Sequence, residues 1–155
     1  MTDKQKRDFK IKLKEKALEI LTKRNDASVS AMTEAQLTAN EEGKSSVGDK
    51  YETGRAMAQI ERDIHAKQVE TVQREIAIVQ QTNINGIFES VQTGAFLKTK
   101  TDDYFFIAGL GAVDVGKSKI FFLSINSPIG KNLAGSKAGD VVEFNGKKIF
   151  IEEIF

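Results

Sequence analysis

Two carboxylates, Asp49 and Glu52, stand three residues apart in the stretch GKSSVGDKYET, residues 43–53. Side chains at that spacing share one face of a helix, so both can point at one ion. The same Asp-x-x-Glu pattern also fits a capping box, in which Asp49 closes the start of a helix and Glu52 reaches back to its amide. Acids in a first helical turn are favoured by the macrodipole under either reading. Glu41 and Glu42 precede the stretch, readable as a solvated helix end or as further cation contacts. Lys44, Lys50 and Arg55 surround it, as solubilising charges or as contacts to phosphates or a partner's carboxylates.

The elements that must hold these acids are two long helices. Apolar residues recur at three- and four-residue spacing at Phe9, Leu13, Ala17, Ile20 and Leu21, and again at Val29, Met32, Ala35 and Ala39. Met57, Ile60, Ile64, Val72, Ile76 and Val79 mark a second helical face. Both stripes are narrow, so each helix has little to bury except against a partner helix. Residues 1–82 are thus expected to form an antiparallel coiled-coil hairpin, with the Gly- and Ser-bearing segment 43–50 at its tip. Lys4, Lys6, Arg7, Lys10, Lys12, Lys14 and Lys16 give the first helix a basic run, readable as a solvated face or a weak RNA-facing stripe. His65 is the sole histidine, too little for a metal site or a catalytic triad.

Composition shifts near residue 83. Of ten phenylalanines only Phe9 lies before it, and of twelve glycines only Gly43, Gly48 and Gly54. The runs GAFLKT, YFFIAG, KIFFLSI, VVEFNG and KKIFIEEIF read as short strands, and Asn145-Gly146 as a tight hairpin turn. SPIGKNLAGSKAGD should hold one short helix with Pro128 in its first turn. Residues 83–155 therefore form a compact, mainly antiparallel domain, which makes the chain α+β. In the strands, Phe105-Phe106 and Phe121-Phe122 each send one ring to either side of a sheet.

Several classes of chemistry are excluded. The chain has no cysteine, which removes disulfides, thiolate metal sites and thiol nucleophiles, including that of a ketosynthase-type condensing enzyme. Basic residues (23) and acidic residues (22) nearly balance, so bulk charge selects no partner. No apolar run approaches the ~20 residues of a membrane span, and the charged start is unlike a signal peptide, so a cytoplasmic protein is expected. Gly111-Ala-Val-Asp-Val-Gly116-Lys117-Ser118 fits the phosphate-binding loop pattern. That motif needs a helix to begin at Lys-Ser, whereas KIFFLSI reads as a strand, so a glycine-rich hairpin loop is expected instead.

The run Ser127-Pro128-Ile129-Gly130, then Leu133, Gly135 and Gly139-Asp140, leading into Lys148-Ile-Phe-Ile-Glu-Glu-Ile154, resembles the signature of bacterial Gre transcript-cleavage factors. The resemblance implies a coiled-coil hairpin followed by a small FKBP-like domain. It further implies a factor with no active site of its own, which docks at the rim of RNA polymerase's secondary channel and inserts the hairpin. In that family two tip acids help hold a second Mg²⁺, shared with the polymerase and not bound tightly alone, for hydrolysis of backtracked RNA. Gly48-Asp49-x-x-Glu52 matches that tip, which assigns Asp49 and Glu52 to metal holding and catalysis, with only indirect contact to nascent RNA. Thr53, Gly54 and Arg55 depart from the family pattern, which leaves open a channel-occupying regulator without cleavage. An FKBP-like prolyl isomerase is a remoter alternative, needing an apolar, aromatic-lined pocket within residues 83–155. Oligomeric state stays open.

Overall fold

The computed structural model describes residues 1–42 and 48–155; the side chains of 42 and 48–51 lie outside the described set. The segment 43–47, most of the expected tip, is likewise outside it. Helix α1 spans Asp3–Glu42 and α2 spans Gly48–Gln81. Thr2 and Gln5 start α1 with a reciprocal cap: the Gln5 amide donates to the Thr2 hydroxyl and the Thr2 amide to the Gln5 side chain, at 3.2 and 2.8 Å. Arg24-Asn25-Asp26 does not interrupt α1, since none of the three removes a backbone donor or demands an αL conformation. No helix among the described residues is long and apolar enough to cross a membrane.

The packing seam differs in part from the expected stripes. Leu13, Ala17, Leu21, Ala35, Ala39 and Val79 are buried, but Val29, Met57, Ile60 and Ile64 are exposed. In α2 the inward positions are Ala58, Arg62, His65, Val69, Val72, Ile76 and Val79, spaced alternately by four and three. Stepping back from Val79 in that phase reaches 65, 62 and 58, and never 64, 60 or 57. The aliphatic residues at 57, 60 and 64 belong to a neighbouring stripe of identical spacing.

Contacts divide the chain into two compact units, Met1–Leu18 with Ile78–Phe155, and Glu19–Ala77. In the first unit, three lysines one turn apart tie α1 to its surroundings. Lys14 donates to the Gln80 and Thr82 carbonyls at 2.8 and 2.9 Å. It thereby supplies the cation that the last turn of α2 lacks. Lys10 is fully buried, donates to the Gly86 carbonyl at 2.6 Å and lies 4.5 Å above the Phe88 ring. Lys6 pairs with Glu153 at 2.7 Å and lies over Phe155. Neither reading of the basic run survives for these three, because their amines turn inward. The contact of α1's start with α2's end makes the helix pair antiparallel.

Six strands follow: β1 Phe96–Thr99, β2 Asp103–Phe106, β3 Gly111–Val115, β4 Ser118–Leu123, β5 Val141–Phe144 and β6 Lys147–Ile154. They form one sheet in the order β3-β4-β2-β1-β6-β5, antiparallel except for β2 beside β4. Residues 111–115, expected as loop, are a strand; only Gly116-Lys117 makes the turn, and Ser118 opens β4 rather than a helix. The geometry that a phosphate-binding loop requires is therefore missing. Asn145 and Gly146 both take positive φ, 50° and 76°, as the tight β5–β6 hairpin demands.

The sheet buries both faces. Leu97, Tyr104 and Phe121 align across three strands on the face where Leu133 of α3 (Pro128–Leu133) joins the core. Phe96, Phe105 and Phe122 align on the other, where Phe9 of α1 meets Phe96 edge-on at 5.2 Å and Phe155 at 6.4 Å. The second face is thus closed by the first helix and not by α3. At the start of α3, Ser127 accepts from the Gly130 amide at 3.1 Å and donates to the Ser124 carbonyl at 2.6 Å. A Cβ at Gly130 would collide with the Ser124 and Ile125 carbonyl oxygens, which explains the glycine.

Two outcomes follow from this packing. Gly130→Ala should cost about 1–3 kcal/mol in urea unfolding, because backbone and not a flexible side chain must yield. Burial, and secondarily the nearby Arg7, lowers the Lys10 pKa from 10.5 to about 8. Between these values the unfolded chain binds more protons, so this group's contribution to stability rises as pH climbs from about 8 to about 10.5. Wild type should gain stability relative to Lys10→Met across that window; a pH-independent difference would refute the assignment.

Candidate functional site

Helix α2 spans Gly48–Gln81, and Asp49 and Glu52 lie near its described start, three residues apart on one face. Glu52 is exposed; the Asp49 side chain lies outside the described residues, as do those of Glu42, Lys44 and Lys50. Thr53 and Arg55 are exposed and Gly54 is half-buried within the helix. Glu41 is exposed in the last turn of α1, a turn that carries no basic residue. Acids at 49 and 52 agree with the positive end of the α2 dipole, whereas Glu41 and Glu42 oppose the negative end of α1.

The donor chemistry suits Mg²⁺ in part. Two carboxylates one turn apart supply hard oxygen ligands, but octahedral Mg²⁺ needs six, usually completed by water and phosphate. Among the described residues no group of three or more His, Cys, Asp or Glu side chains converges. His65 sits half-buried in the α2 seam, its Nδ1 3.0 Å from the Gln68 side-chain oxygen, remote in role from any ligand set.

The sheet domain carries a second feature. Tyr104, Ile129, Phe144 and Ile149 line a cleft of about 350 Å³, with Asp102, Lys147 and Lys148 among its other walls. Ser127, Pro128 and Gly130 set the first turn of α3 and so place Ile129; the Asn145-Gly146 turn places Phe144 and Lys147. Burial, with Asp102 adding to it, pushes the Tyr104 phenol above its ordinary pKa, so it stays protonated and able to donate. Burial also raises Asp103, against the opposing pull of Lys98.

No protein-family model and no curated protein matches this chain. The geometry must carry the functional reading alone. Sequence reasoning reads Ser127, Pro128 and Gly130 as shaping the domain, and in the structure they build the first turn of α3; it assigns no role to Tyr104 or Phe144. Their signal was present in the two turns that flank the cleft, but only the fold brings those turns together.

Asp49 and Glu52 should be dispensable for folding. Asp49→Asn and Glu52→Gln should each change stability by no more than about 1 kcal/mol. Titrating Mg²⁺ into the chain alone, followed by amide NMR shifts, should give a Kd on the order of a millimolar or weaker, since two carboxylates leave most ligand positions to others.

Proposed function

We propose that this chain is a Gre-like transcription factor that binds RNA polymerase through its secondary channel and promotes cleavage of backtracked RNA. The observation carrying the reading is that Asp49 and Glu52 stand three residues apart, on one face, near the start of the second of two antiparallel helices. The Ser127-Pro128-Ile129-Gly130 turn supports it, since it builds α3 and one wall of the cleft as a docking domain would use them. On this reading the six-stranded domain is FKBP-like, and the protein works in the cytoplasm beside the polymerase.

The chain itself would be no enzyme; it completes the polymerase's active centre. Asp49 and Glu52 would help hold a second Mg²⁺ there, an ion that supplies Lewis acidity and an activated water for phosphodiester hydrolysis. Their three-residue spacing puts both carboxylates on one face of α2. Ile129, Tyr104 and Phe144 would seat an apolar side chain of the polymerase rim, with Lys147 and Lys148 available to a neighbouring acid. The same apolar, aromatic cleft is what a prolyl isomerase would require, and this observation keeps that alternative in view.

A stalled, backtracked complex of the cognate polymerase, incubated with the chain and Mg²⁺, separates these readings. RNA 3′ ends should shorten with wild type, and Asp49→Ala/Glu52→Ala should slow shortening about a hundredfold or more while leaving binding intact. Binding without shortening by wild type would make the protein a channel-occupying regulator. Turnover of a proline peptide, abolished by Tyr104→Ala, would favour the isomerase.

A further inference from the structure

Helix α2 carries a second seam facing away from its packing partner. Met57, Ile60 and Ile64 are 65%, 61% and 51% exposed, and the three-four spacing continues through Lys67 and Thr71. Ile64, Lys67, Gln68 and Thr71 stand at i, i+3, i+4 and i+7, the four corners of a coiled-coil hole. With Val72 they bound an open groove of about 370 Å³. Lys67 meets no carboxylate among the described residues, whereas Arg62 and Arg74 pair with Asp63 and Glu70 at 3.0 and 3.4 Å. Glu61, on the rim of the same seam, is 67% exposed.

We infer that two copies of this chain pair antiparallel through this seam of α2, about a two-fold axis at Ile64. In that register Ile64 meets Ile64 of the second copy. Ile60 fills the hole formed by Ile64, Lys67, Gln68 and Thr71, and Met57 packs against Thr71. Each Lys67 lays its aliphatic stem over the partner's apolar residues and brings its ammonium to the partner's Glu61. The interface is self-complementary, as a two-fold contact must be. Sliding the copies until Ile60 faces Ile64 would instead bring Glu61 against Asp63, a like-charge contact that disfavours that alternative. Three aliphatic side chains per copy bury less than the ~1,200 Å² of a standard interface, so the dimer is reversible, in about the micromolar range.

Sedimentation velocity over a series from low micromolar to submillimolar tests the pairing. Wild type should pass from monomer to dimer. Ile64→Glu should weaken the dimer more than about tenfold by setting two carboxylates face to face at the axis. Glu61→Lys and Lys67→Glu should each weaken it, and the double exchange should restore it. Because the chain lacks cysteine, Ile64→Cys should form a disulfide-linked dimer under mild oxidation, while Leu37→Cys, equally exposed on α1, should not. Helicity by circular dichroism should be unchanged throughout. A wild type that stays monomeric, or a dimer indifferent to Ile64→Glu and to the charge exchange, would overturn the pairing.

Discussion

A buried ammonium anchors this fold. Lys10 has no exposed surface, yet its charge is met by the Gly86 carbonyl and by the faces of Phe88 and Phe155. An isolated buried charge would be prohibitive, and a hydrogen bond with aromatic quadrupoles offsets only part of that cost. What the arrangement gains is specificity. It fixes α1 against the segment that leaves α2, and Lys14 and Lys6, one turn to either side, extend the same line to the end of α2 and to β6. The face of the sheet bearing Phe96 and Phe155 needs Phe9 upon it, and Phe9 is delivered by the helix these lysines hold.

This arrangement explains which parts of the structure were legible in the sequence. Helices and strands were readable because their periods are local properties: the Asn145-Gly146 turn, the Ser127-Pro128 start of α3 and both long helices stand where spacing and turn chemistry put them. The direction of Lys6, Lys10 and Lys14 was not readable. A lysine facing water and one facing a carbonyl 76 residues away carry the same local pattern. Strand β3 was missed for a related reason. Its residues include Gly111, Ala112 and Asp114, all of weak strand preference, and pairing to β4 overrides that weakness.

The α2 seam shows a subtler limit. Two stripes of identical spacing run along the helix, one aliphatic at its start and one aliphatic at its end. Periodicity scores both alike, so only phase continuity from Val79 back to Ala58 separates them. The price of the chosen phase is that Arg62 and His65 occupy inward positions while Met57, Ile60 and Ile64 face outward. The Asp49–Glu52 pair was legible for the opposite reason: a spacing within one helical turn needs no tertiary information. The cleft around Tyr104 was illegible, because its walls come from β2, α3 and the β5–β6 hairpin.

The seam of the second unit is correspondingly lean. Ala35, Ala39 and Ala58 bury little area each, and the buried Asn25 side-chain oxygen meets no hydrogen-bond partner among the described residues. At roughly 25 cal/mol per Å², alanine contacts stabilise a helix pair far less than leucine contacts such as those of Leu13 and Leu21. Leucine-sized residues at those positions would raise stability but hold the helices farther apart. Small seam residues bury little, while the aliphatic side chains that might have filled the seam remain on the outside. A helix pair that leaves Met57, Ile60 and Ile64 outside is poorly suited to standing alone in water. A second copy packed along that outer face would supply the burial that the seam omits.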